Sequence, residues 1–135
     1  MSVIIEVLLT VGKELFGVFT KAGEKRSART LRIADYFSDL GRTIEETSES
    51  LKHGQYPSGQ CQRLLVHAEQ MVETIGDAVP NASQYADKVK QVWQIEQLHA
   101  ELSMLSDDER RARLRMLDEA AGYFHAIAAH LKVKS

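Results

Sequence analysis

From Ile33 to Leu51 the large side chains return at alternating steps of four and three residues: Ile33, Phe37, Leu40, Ile44, Thr47 and Leu51. Those steps place all six on one side of an α-helix, as a seam that must be covered by other helices. The same rhythm returns further along the chain. No run of alternating β-branched residues bounded by turns competes with it. With 135 residues the chain has room for one domain around one core.

Five helical stretches are predicted. The first runs from Ser2, a plausible cap, to Ala22, with Gly23 as a stop, and the second from Ser27 to Leu51. Because only Gly23 interrupts them, one bent helix is an alternative reading. The segment from His53 to Gly59 is the clearest loop. Ser58 is then expected to cap a third helix whose inner face is Cys61, Leu64, Leu65, Ala68, Met71, Val72, Ile75 and Val79. Val79-Pro80-Asn81 ends it. Asn81 or Ser83 caps a fourth, lined by Tyr85, Val89, Val92, Ile95, Leu98, Leu102 and Leu105. Ser106-Asp107-Asp108-Glu109 reads as a capping box that starts a fifth, with Leu114, Leu117, Ala121, Phe124, Ala128 and Leu131 inside. Short loops between long amphipathic helices favour antiparallel neighbours. The expected fold is therefore all-α: a four-helix up-down bundle over 27–131, with an additional apolar N-terminal helix over 1–22 that packs along it or projects from it.

Little in the chain suggests catalysis, and no enzyme is expected. A di-metal bundle site needs two Glu-x-x-His pairs facing inward. Glu96 and His99 form one, but Leu64, Gly122 and Ile127 stand three residues before His67, His125 and His130. No metal or cofactor is expected. His125 and His130 share no helix face and read as boundary residues. The single cysteine, Cys61, falls on an apolar face and reads as a buried structural thiol, consistent with a reducing, cytoplasmic setting. Arg110, Arg111, Arg113 and Arg115 are flanked by Asp107, Asp108, Glu109 and Asp118, which reads as a solvated face with local ion pairs. With a net charge of −2, no nucleic-acid partner is expected.

The first helix departs from this ordinary pattern. Residues 3–19 hold Val3, Ile4, Ile5, Val7, Leu8, Leu9, Val11, Leu15, Phe16, Val18 and Phe19. Glu6, Thr10, Lys13 and Gly17, with Glu14 beside them, form one narrow polar stripe. The apolar surface thus exceeds the stripe of somewhat over 100° that an outer bundle helix needs. Such a helix either fills a central groove or enters a lipid bilayer on demand. Seventeen residues at about 1.5 Å each reach roughly 25 Å, short of a hydrocarbon core of about 30 Å. Three charges also make it a poor constitutive span and a better interfacial or oligomeric one. Lys21, Lys25, Arg26, Arg29 and Arg32 follow, a basic cluster suited to anionic headgroups. Six basic residues against three acidic ones give residues 1–32 a balance of +3 and leave −5 for the remainder. Gly12 and Gly17 lower helix propensity and also permit close helix–helix approach.

In layout, from Val3 to Leu131, the chain resembles the HeLo-like cell-death domains: an apolar helix in the first few residues, a basic stretch, then a four-helix bundle. Fungal HeLo and HELL domains, the bundle of mixed-lineage kinase domain-like protein and bacterial Bell domains share that layout. The resemblance implies a domain that is recruited from the cytoplasm to the inner face of the membrane, forms homo-oligomers and permeabilises the bilayer through residues 3–19. Bacterial members usually carry a short amyloid signalling motif after the bundle, and none is read in Lys132-Val133-Lys134-Ser135. The alternative expectation is an adaptor or oligomerisation module that docks helix to helix with a protein partner.

Overall fold

A computed structural model describes residues 4–21 and 28–134, with all of their side chains except those of residues 28, 29, 92–94 and 134. Among the described residues the chain is all-helical, without strands. The α-helices are α1 (Ile4–Lys21), α2 (Ala28–Lys52), α3 (Ser58–Ile75), α4 (Ala82–Val89), α5 (Gln94–Leu102) and α6 (Asp107–Lys134), and a 3-10 turn over Lys90–Trp93 joins α4 to α5.

The predicted seam on α2 is the centre of the molecule. Ile33, Phe37, Leu40, Ile44, Thr47 and Leu51 are all buried. Thr47 is tolerated there because its hydroxyl donates to the Thr43 carbonyl one turn back, at 2.8 Å, and leaves only its methyl to the core. The most extensive pairing is α2 with α6, followed by α1 with α6. Lys52 meets Asp118, the ring of His125 covers Gly41, and Lys132 approaches Asp35, so α2 and α6 run antiparallel. Glu46 pairs with Arg63, and the Tyr36 hydroxyl donates to the His67 carbonyl, which makes α3 antiparallel to α2. The chain then returns through α4 against α3. Packing thus passes from α6 to α2, to α3 and to α4, and α1 lies between α4 and α6, with further contacts to α5. Phe19, near the end of α1, packs edge-on against Phe37, well inside α2, so these helices are separate and folded back on each other, not one bent rod.

The ends of the helices follow local rules. Glu109 N–H donates to Ser106 Oγ at 3.2 Å, and Ser106 N–H donates to Glu109 Oε1 at 3.4 Å, the predicted capping box. At the end of α2, Gln55 N–H reaches the Ser50 carbonyl and Gly54 N–H the Leu51 carbonyl. This Schellman closure needs the left-handed φ of +73° that Gly54 supplies. Other expectations fail. Ser58 is already the first helical residue behind Pro57, and neither Pro57 nor Asn81 makes a side-chain cap. The third helix stops at Ile75, before Val79. The fourth is interrupted where Gln91 adopts φ −74°, ψ +20°. The caps expected from Ser2 and Gly23 lie outside the described residues.

On α3 the inner face is narrower than predicted. Cys61, Leu64, Ala68, Met71, Ile75 and, beyond the helix, Val79 are buried, but Leu65 and Val72 are exposed, as is Val66. Leu65 and Val72, expected in the core, therefore stand outside it.

Candidate functional site

The residues singled out for membrane insertion lie on one docked helix. Ile4, Ile5, Leu8, Leu9, Val11, Leu15 and Phe19 are buried, Val7 and Phe16 are partly buried against the core, and Val18 is exposed. Val3 lies outside the described residues. Glu6, Thr10, Lys13 and Glu14 face solvent, so the polar stripe read from the sequence is the helix's free surface.

Shape holds α1 in place. An added Cβ on Gly12 would sit 3.1 Å from the Tyr123 Cβ and 3.4 Å from the Ala120 carbonyl oxygen. The two backbones approach more closely there than larger residues allow, as small residues permit in tightly packed helix pairs. Gly17 has nothing within 4 Å and plays no such part. Further along, Phe16 meets Tyr123 with ring centroids 5.8 Å apart, and Phe19 meets Phe37 at 5.4 Å. Phe37 in turn stacks on Phe124 at 6.0 Å, so α1, α2 and α6 share one aromatic cluster. On its other flank α1 meets α4, where burial and the neighbouring Glu14 carboxylate push the Tyr85 phenol up. No helix among the described residues is long and apolar enough to cross a membrane.

The basic residues are placed less completely. Lys21 is exposed at the end of α1. Arg32, on α2, lines a groove with Glu73 and Thr74 of α3 and Asp77 just beyond it, so acidic neighbours offset part of its charge. Lys25, Arg26 and the Arg29 side chain lie outside the described residues.

Other residues considered from the sequence have local partners. The Cys61 thiol is buried and burial pushes its pKa up, which makes it a poor nucleophile. His99 Nε2 donates to the Gly54 carbonyl at 3.2 Å, and its ring packs against Tyr56, tying the 53–57 loop to α5. Glu96 and His99 join no group of three metal-ligating side chains among the described residues. His125 pairs with Glu45 at the rim of the α2–α6 seam. Arg111 pairs with Asp108, in keeping with a solvated face. Arg110 does more: its guanidinium donates to the Leu102 and Leu105 carbonyls and to Asp107, closing the end of α5 onto the start of α6. Sequence reasoning missed that role because the two ends become neighbours only once the corner has formed.

No family model, curated protein or solved structure matches the chain.

Proposed function

We propose that this is a non-enzymatic, membrane-targeting helical domain, pore-forming and cell-death-inducing in the manner of the HeLo-like domains, acting through α1. One observation carries the reading: α1, a helix with an unusually wide apolar surface, is seated between α4 and α6 with its polar stripe and Val18 outside. In this reading α2, α3, the α4–α5 arm and α6 are the four-helix up-down bundle, and α1 is the element it stores. The domain waits in the cytoplasm and forms homo-oligomers at the inner face of the membrane.

Magnitudes say what release requires. Burial of Ile4, Ile5, Leu8, Val11, Leu15 and Phe19, at about 2 kcal/mol each, stabilises the seat by on the order of 10 kcal/mol. That is comparable with the stability of a whole small domain, so α1 leaves only if another apolar phase receives it. A bilayer does, while Glu6, Lys13 and Glu14 oppose deep insertion by about 3 kcal/mol each at the midplane. An interfacial pose, or an oligomer with the charged stripes turned inward, satisfies both terms.

The test is dye leakage from vesicles with and without anionic lipid. It compares the full chain, its Gly12→Leu variant, and a variant with Lys21, Lys25, Arg26, Arg29 and Arg32 all changed to Gln. Leucine cannot keep the Gly12 approach to α6, so Gly12→Leu is expected to weaken docking by about 2 kcal/mol or more and to leak several-fold faster. The Gln variant should lose the dependence on anionic lipid. Absence of lipid binding and leakage from folded Gly12→Leu protein, and from a peptide of residues 1–22, would sink the reading. The exposed Leu65, Val66 and Val72 on α3 favour the second reading, an adaptor that docks helix to helix with a protein partner.

A further inference from the structure

His67 sits where α2 and α3 close on each other. Its ring stands edge-on to Tyr36, centroids 5.6 Å apart, and the Tyr36 hydroxyl donates to the His67 carbonyl. Nε2 lies 3.4 Å from Thr43 Oγ1. The Thr43 hydroxyl already donates to the Asp39 carbonyl at 2.8 Å, so toward His67 its oxygen can only accept. That fixes the tautomer: the proton is on Nε2 and the lone pair on Nδ1. Nδ1 is buried and has no hydrogen-bond partner among the described residues. A neutral imidazole tolerates this at modest cost, whereas an imidazolium would bury a charged N–H with nothing to receive it.

We propose that His67 is a proton-sensitive latch between α2 and α3, closed by the neutral ring and opened when a second proton must be placed on Nδ1.

The surrounding charges do not rescue the protonated form. From α2, Asp39 favours it, but Asp39 is paired with Arg42, which opposes it. From α3, Arg63 opposes it and is itself paired with Glu46 of α2. Burial is the largest influence and holds the ring below its ordinary pKa. At His67 the folded form therefore binds less of a proton than the unfolded chain once the pH falls below about 6.5. Stability contributed by neutral His67 is present above that value and lost as the pH drops beneath it. The path into the core is short. Tyr36 is anchored by the His67 carbonyl and lies 5.4 Å from Phe37, the ring on which Phe19 of α1 rests. The latch does not depend on the membrane reading, and neither measurement below uses lipid.

Two measurements on the full chain test it. Urea unfolding at pH 8 and pH 5 compares wild type with His67→Gln, whose amide can still donate to Thr43 but does not titrate. From the acidic to the alkaline condition the wild-type unfolding constant should fall several-fold more than that of the variant, with a ceiling of about 30-fold for one histidine of unfolded pKa about 6.5. Nitrogen-15 spectra of the wild-type imidazoles resolve His67 from His53, His99, His125 and His130, and they remain decisive if the variant folds poorly. The expected result is an Nε2–H ring that titrates below about 6.5. An Nδ1–H tautomer, a titration at or above that value, or equal pH slopes for wild type and variant would overturn the proposal.

Discussion

Leu64 and Leu65 are adjacent and chemically identical, yet the first is fully buried and the second is 38% exposed. Val72, seven residues after Leu65, shares its fate at 47%. The consequence is a large asymmetry in mutational cost. Leu64→Ala should lower stability by roughly 2–5 kcal/mol, because it opens a cavity in the centre of the core. Leu65→Gln combined with Val72→Gln should stay within about 1 kcal/mol, as solvent-facing changes do. Urea denaturation of the two variants measures both, and a loss of several kcal/mol in the double variant would mean that this face is covered. Periodicity located the centre of the face correctly on α2, α3 and α6. It could not locate the edge on α3, because the edge depends on how far the neighbouring elements reach, which no local pattern states. His67 was equally illegible: a histidine beside an apolar stripe looks the same whether its second nitrogen finds an acceptor or not.

Helix ends show a similar division. The capping box at Ser106 was legible because donor and acceptor lie within one turn of each other. Replacing Ser106 with Ala removes the Glu109 N–H acceptor and the hydroxyl donor to the glutamate, leaving it only the backbone N–H of residue 106, which should cost about 1 kcal/mol and about 4 °C in melting temperature, read by thermal unfolding. The interruption over Lys90–Trp93 was not legible. No Pro or Gly stands between Ala82 and Leu102, so no local signal breaks the helix. The break lets one amphipathic stretch serve two directions, with Tyr85 and Val89 before it and Ile95 and Leu98 after it all buried. Tertiary packing overrides a continuous helical pattern there, as it can where the local preference is weak.

At the scale of the molecule, the sequence showed that α1 needed an unusually large apolar environment but not which helices would supply it. A period defines a face, and partners are chosen by shape, here the gap that Gly12 leaves for α6. If α1 is a stored element, it should open without global unfolding. Native-state hydrogen exchange should then show the amides from Leu8 to Leu15 exchanging through an opening of lower free energy than those around Phe37 and Phe124. Identical free energies in all three helices would make α1 an inseparable wall of the fold.

The seat of α1 has two sides, and one of them, α6, is the last helix in the order. A ribosome finishes α1 first and must add roughly 90 residues before α6 begins, which at about 5–20 residues per second is of the order of ten seconds. Throughout that interval the most apolar helix of the chain has no permanent home. If the proposed membrane reading holds, the nascent protein meets the choice between bilayer and bundle before the finished one does.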